Sequence, residues 1–190
     1  MIRLNEAWLD GPVADPPPGT AAQLVEGVFR AGGWLEAELG LEHRPQQLVM
    51  ARRTLEAWER EEGLFFEAGT GVGKSLAYLV PGLIRARLAR RPLVVSTHTI
   101  ALQEQIEHKD LPLCRKLFNC SPGLEGLADF RHAVLLGRGN YLCGARLGQA
   151  LRARSELFPS SGQQELERIG EWSRHTQTGL LQELDPQPLP

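Results

Sequence analysis

Apolar positions at helical spacing mark the first regular stretch of the chain. Leu24, Val25, Val28, Phe29 and Leu35 share one face of a 3.6-residue repeat, and Thr20 with Gln23 makes a capping-box signature at its start. Gly32-Gly33 breaks or bends this element. A second helix is predicted from Pro45, with Leu48, Ala51, Leu55 and Trp58 as its buried stripe and Glu61-Glu62-Gly63 as its end. The pattern then changes. Leu64-Phe65-Phe66-Glu67, Leu93-Val94-Val95-Ser96-Thr97 and Ala133-Val134-Leu135-Leu136 are short apolar runs that read as strands. Between them the pattern places a helix from about Lys74, kinked or split at Pro81-Gly82, another capped by Thr99, and a short one opened by Pro112. Helices are also predicted from about Asn140 to Arg154 and from about Gln163 to His175. Strands alternating with helices imply an α/β layer with a parallel sheet flanked by helices. Three strands are few for such a sheet.

A chain of 190 residues suffices for one ordinary domain, and 42% hydrophobic with 23% charged residues excludes disorder throughout. The longest apolar stretch, Ala77 to Ile84, is interrupted by Pro81 and falls far short of the ~20 residues that cross a bilayer. Glu6 and Asp10 stand where a signal peptide would ramp from basic to apolar, and three cysteines make no disulfide framework, so a cytoplasmic protein is expected. The net charge of −2 conceals a basic middle: residues 61–154 hold thirteen Lys/Arg against eight Asp/Glu. That balance suits phosphate-rich ligands, though a solvated face looks the same.

Chemistry concentrates in that middle. Ala68-Gly69-Thr70-Gly71-Val72-Gly73-Lys74-Ser75 has the form of a phosphate-binding loop, with Ala68 where the strict pattern has glycine. Its glycines let successive N–H groups turn inward toward phosphate oxygens, and the helix that follows adds its positive end. Lys74 is placed to reach the β- and γ-phosphates and the Ser75 hydroxyl to ligate Mg²⁺. Upstream, Arg44-Pro45-Gln46-Gln47 sits at a helix start. The Gln47 amide could match the N6/N7 edge of adenine, or simply face solvent. Ser96-Thr97-His98-Thr99 leads into Ala101-Leu102-Gln103-Glu104-Gln105, where hydroxyls suit sugar–phosphate contacts and Thr99 also reads as an N-cap.

Taken in order, Arg44 to Ala51, Glu67 to Tyr78, Ser96 to Gln105, and Gly137-Arg138-Gly139-Asn140-Tyr141-Leu142-Cys143 resemble the DinG/XPD-like superfamily 2 helicases, the bacterial DinG branch most closely, from about Leu24 to Arg154. The resemblance implies an ATP-driven 5′→3′ DNA helicase of repair or replication, with a P-loop (RecA-like) motor domain acting on single-stranded and forked DNA. Arg44 and Gln47 would then read adenine, and Ala68, Gly69, Thr70, Gly71, Val72, Gly73, Lys74 and Ser75 would hold the ATP phosphates. Thr97, His98, Thr99 and Gln103 would touch the single strand, and Cys143 would be the first thiolate of a [4Fe–4S] site. The implied organisation is a proline-rich lead (1–19), the N-terminal part of motor domain 1 (20–137) and the start of an iron–sulfur insertion (138–190).

No cysteine follows Cys143, and no acidic Mg²⁺ pair follows an apolar strand. The expectation is therefore an incomplete first motor domain that binds ATP weakly and does not unwind DNA, its cluster assembling only in a full-length protein. A short nucleotide-binding regulatory or interaction module is the alternative. A small P-loop kinase is disfavoured, since the segments around Gln47 and Thr97 would then be coincidence.

Overall fold

The structure is a computed structural model and describes residues 20–69, 71–153 and 160–184. The expected proline-rich lead, 1–19, lies outside the described residues. Contacts divide the chain into two compact units, the first ending at Val134 and the second starting at Leu135.

In the first unit the capping box forms as the sequence implies. Gln23 N donates to Thr20 Oγ1 at 3.3 Å and Thr20 N to Gln23 Oε1 at 3.0 Å, opening α1 (Ala21–Phe29). Its face of Leu24, Val25, Val28 and Phe29 is buried, as is Leu35 on α2 (Trp34–Leu39), beyond the Gly32-Gly33 break. The next helix, α3 (Pro45–Arg60), has proline in its first turn and ends at Glu61, held in the left-handed region at φ 57°. Ala51 and Leu55 of its stripe are buried, and Leu48 is partly buried against the same core.

The centre of the unit is α4 (Lys74–Ala89). The expected kink or split at Pro81 does not divide it: the helix runs through Pro81 for eight more residues. A proline inside a helix costs about 3 kcal/mol. Here every residue from Leu79 to Ile84 is buried, so packing on all sides outweighs that local penalty. Gly82 permits the close contact: a Cβ there would lie 2.8 Å from Leu93 and 2.9 Å from Trp58. Thr99 caps α5 (Ile100–Gln105), accepting from Leu102 N at 3.3 Å. A π-helical turn, Ile106–Asp110, carries the chain into α6 (Leu111–Cys120), which buries Leu111, Cys114, Leu117 and Phe118. Arg115 then lies over the Phe130 ring, 4.4 Å from its centroid, and donates to Phe130 O at 2.6 Å.

The expected parallel sheet is not formed. Among the described residues there is no strand, so the α/β fold class is corrected to a helical one with irregular connections. The physical reason lies in the three runs themselves. A strand exists through a ladder of hydrogen bonds to a neighbouring segment, and among the described residues no such ladder forms: the isolated bridge of Tyr141 to Leu180 lies outside all three runs. Inner strands of a parallel sheet are buried on both faces, whereas here Phe65 is fully exposed and Val94 is 85% exposed.

The second unit is small. A 3₁₀ turn, Arg138–Asn140, leads to Cys143 at the N-cap of α7 (Gly144–Arg152), followed by α8 (Ser160–His175). Leu151 of α7 packs 3.5 Å from where Gly170 of α8 would carry a Cβ. An isolated antiparallel bridge joins Tyr141 to Leu180, and Leu142 N donates to Gly179 O at 2.8 Å. Leu136 N, from the third predicted strand, donates to the Tyr141 hydroxyl at 3.0 Å rather than to a ladder partner.

Candidate functional site

The loop between residue 67 and α4 takes the backbone form that the glycine pattern demands. Gly71 and Gly73 adopt φ values of 81° and 78°, left-handed conformations open to glycine at little cost. Gly73 is the N-cap of α4 with no side-chain cap, so the first-turn N–H groups remain available to an anion. Lys74 opens the helix, exposed, with Nζ 3.0 Å from Ala68 O and 3.1 Å from Gly69 O. An ammonium group resting on weak carbonyl acceptors is easily transferred to a phosphate, which binds it by charge as well. Val72 lies in the same turn, and Thr70 lies outside the described residues.

The start of α3 is brought onto this loop across more than twenty residues of sequence. Gln47 is 7% exposed, and its Nε2 donates to Gly73 O at 2.9 Å. The Arg44 guanidinium donates to Gly71 O and stands 3.6 Å from the exposed Glu42 carboxylate. The sequence placed both residues beside the nucleotide, and the structure places both on the loop backbone.

Two further residues of this region were given no role by the sequence, although Tyr78 closes the Glu67 to Tyr78 run. Tyr78 hydrogen-bonds Ser75, and burial, the largest influence, raises its phenol above the ordinary range, with Asp110 nearby acting in the same direction. Asp110 is buried at the end of the π-helical turn and accepts from Gln105 Nε2 at 3.2 Å. The cue for Tyr78 was its spacing: three residues after Ser75, it occupies the same helix face. Asp110 gave no cue, because its burial comes from the packing of distant elements.

The segment expected to meet nucleic acid is mostly exposed. Thr97 Oγ1 donates to Thr99 O at 3.2 Å, and the Thr99 hydroxyl is occupied as the α5 cap. His98 is exposed and Gln103 is partly buried.

Cys143 is exposed at the start of α7. Backbone hydrogen bonding from Arg146 lowers its thiol pKa, helped by the Ala145 N–H and the charges of Arg146 and Arg138. Cys114, in the core, is pushed up to about 12 by burial, with Asp110 adding to the rise. Depression of a thiol pKa enlarges its thiolate fraction at a given pH, and elevation shrinks it. In the metal-free chain, iodoacetamide at neutral pH is therefore expected to modify Cys143 while leaving Cys114 intact. Its rate profile should have a midpoint below that of an unperturbed cysteine. Peptide mass mapping checks this, and modification of Cys114 at a comparable rate would contradict the assignment. Among the described residues no group of three or more His, Cys, Asp or Glu side chains is arranged to hold a metal ion.

No family model matches the chain. Individual proteins do. Over 163 residues, 79% of the chain, it is 39% identical to the ATP-dependent helicase DinG of Mycobacterium tuberculosis, covering 24% of that protein. It is 34% identical over 156 residues to the ATP-dependent DNA helicase YoaA of Haemophilus influenzae, a match of 82% of the chain and 22% of the relative. A 105-residue match, 54% of the chain, is 46% identical to the ATP-dependent DNA helicase DinG of Salmonella typhimurium and covers 13% of it. The chain thus spans a quarter or less of the length of each of these relatives. In sequence, this chain is DinG-like, a relative of ATP-dependent helicases that matches a limited part of each.

Proposed function

We propose that this chain is the nucleotide-gripping portion of an ATP-dependent DNA helicase, which in its full-length form couples ATP hydrolysis to 5′→3′ unwinding of single-stranded and forked DNA in repair or replication. The observation that carries this reading is the loop Ala68–Ser75. Its two left-handed glycines precede a helix whose first residue, Lys74, keeps its ammonium group on the loop's own carbonyls. A glycine turn that merely joined two elements would have no use for a lysine at that point.

Lys74 would move from Ala68 O and Gly69 O to the β- and γ-phosphates, while backbone N–H groups of the loop enclose them. The donor set fits Mg²⁺ in the way such loops use it: one hydroxyl, from Ser75, with phosphate and water supplying the other ligands. When bound, Mg²⁺ supplies neutralisation of phosphate charge. Ser75 orients that ligation, and Tyr78 is within hydrogen-bonding reach of its hydroxyl. Thr97, His98, Thr99 and Gln103 are proposed to meet the sugar–phosphate backbone of the single strand.

A [4Fe–4S] cluster does not fit the residues of this chain alone. Such a cluster takes four thiolates, the chain has three cysteines, and Cys114 is enclosed in the core. We propose Cys143 only as one ligand of a cluster in a longer protein, and no step is assigned to that cluster. Among the described residues no helix is long and apolar enough to cross a membrane, and a cytoplasmic location is part of the same proposal.

Fluorescent ATP titrated into the 190-residue chain tests the reading directly. Weak, Mg²⁺-sensitive binding is expected, with no strand displacement on a forked DNA substrate. Absence of any saturable nucleotide binding would remove the proposal, and unwinding by this chain alone would remove the claim that it lacks a complete site. The second reading, an interaction module that binds nucleotide without helicase activity, is favoured by the exposed Phe65 and Val94. A full-length protein that binds ATP yet shows no DNA-stimulated hydrolysis would decide for it.

A further inference from the structure

We infer that Tyr78 is a positioning residue for Ser75: its phenol oxygen accepts the Ser75 proton and so turns the serine oxygen's lone pairs toward the cation that accompanies a bound nucleotide. The inference deepens the reading that this loop binds a Mg²⁺-nucleotide, and it rests on that reading.

A serine hydroxyl carries one proton and two lone-pair sites. To ligate Mg²⁺ it must present a lone pair, and its proton must point away from the metal charge. The hydroxyl hydrogen rotates to suit its surroundings, and in a helix a serine can turn its proton to a carbonyl of the preceding turn. An acceptor fixed on the far side of the oxygen settles that choice before the cation arrives, which lowers the cost of ordering at binding.

The helix α4 carries such an acceptor. Ser75 and Tyr78 are its second and fifth residues, three positions apart and therefore on one face. Side chains of a helix lean toward its N-terminus, which lays the Tyr78 ring back over the turn that holds Ser75. The two hydroxyls are hydrogen-bonded. The ring is also held from outside its own helix: with Trp58 of α3, Leu93 and Val95 it lines a cavity of about 300 Å³. Burial, and after it the nearby Asp110, raise the phenol pKa and keep the hydroxyl neutral, so Ser75 is offered an oxygen without a negative charge beside the phosphates. Asp110 is itself buried, and Gln105 Nε2 donates to its carboxylate at 3.2 Å.

A tyrosine that only filled space here would gain nothing from its oxygen, whereas one that orients Ser75 acts on the cation alone. Tyr78→Phe keeps the ring and removes the oxygen. Fluorescent ATP titrated into the 190-residue chain, in EDTA and at rising Mg²⁺, separates the two roles. In Tyr78→Phe the affinity in EDTA should equal that of the wild type. The Mg²⁺ concentration that gives half the gain in affinity is expected to rise about fivefold, the scale of one lost hydrogen bond. Ser75→Ala should lose the gain altogether. Added to Ser75→Ala, Tyr78→Phe should cost no further affinity, because the tyrosine acts through the serine.

A wild-type Mg²⁺ requirement in Tyr78→Phe overturns the inference, and so does a loss of equal size in EDTA or a further loss in the Ser75→Ala background. Thermal melting in EDTA guards against simple unfolding. The Tyr78→Phe and wild-type chains should melt at the same midpoint, and a midpoint low enough to account for the lost binding assigns the hydroxyl to folding and overturns the inference as well. If the wild type gains no affinity from Mg²⁺, or Ser75→Ala keeps the gain, the phosphate-site reading itself fails and the role of Tyr78 falls with it. A gain that depends on Ser75 but not on Tyr78 removes the role of Tyr78 alone.

Discussion

Replacing Lys74 with alanine is expected to abolish ATP hydrolysis by the proposed full-length helicase and to weaken ATP binding by the 190-residue chain by about a hundredfold or more, the scale on which a preorganised charge acts on a phosphoryl group. The side chain is exposed, and its hydrogen bonds go to carbonyls that water can also serve. Folding should therefore change little, within about 0.5 kcal/mol, as for surface substitutions elsewhere. DNA affinity should be largely spared, because the residues proposed to meet the single strand, Thr97 to Gln103, lie on another segment. Steady-state hydrolysis, fluorescent nucleotide titration and DNA binding by anisotropy form the set of measurements. Hydrolysis near the wild-type rate would sink the assignment of the loop, and equal loss of DNA binding would point to a general folding defect.

Gly73→Ala should be the more damaging of the substitutions at the two left-handed loop glycines. At φ 78° an alanine meets the left-handed penalty of about 1–2 kcal/mol. Its Cβ would also stand 2.3 Å from Gln47 Nε2 and 3.0 Å from its Cδ, so the amide must leave the Gly73 carbonyl. Gly71→Ala isolates the first of these effects, since φ there is 81° but no atom lies within 4 Å of the added methyl. Nucleotide affinity is therefore expected to fall further in Gly73→Ala than in Gly71→Ala. Combining Gly73→Ala with Gln47→Ala should cost less than the sum of the two, because the clash and the lost bond are one event. Strict additivity, read by nucleotide titration and thermal melting, would show that the two residues do not share this contact.

These outcomes turn on features with unequal visibility in the sequence. The loop was plain in its residue types, because left-handed turns and a helix N-terminus are local requirements that glycine and its neighbours must meet in place. Capping by Thr20 and Thr99 was equally plain, since donor and acceptor lie within three residues. The placement of Arg44 and Gln47 near the loop was suggested by their order along the chain. Their partners were not, because a glutamine amide suits a base edge and a backbone carbonyl alike. Tyr78 entered only as the last residue of the Glu67 to Tyr78 run, with no role of its own, and Asp110 passed without notice, since an aspartate between two helices has an ordinary local explanation.

By itself, then, the sequence determined the starts of α1, α3, α4 and α5, the glycine loop and its lysine, and the likeness to DinG-type helicases. Each of these depends on hydrogen bonds or residue types close together in the chain. The tertiary structure decided that α4 continues through Pro81, where burial on all sides outweighs a local penalty. It decided that Gln47 faces a carbonyl, since α3 is packed against α4. And it decided the fate of the apolar runs at 64–67, 93–97 and 133–136. Helical hydrogen bonds are made within a segment, but those of a strand must come from another segment lying alongside. Among the described residues no such ladder forms, and the runs leave apolar side chains, Phe65, Val94 and Leu135 among them, exposed to water.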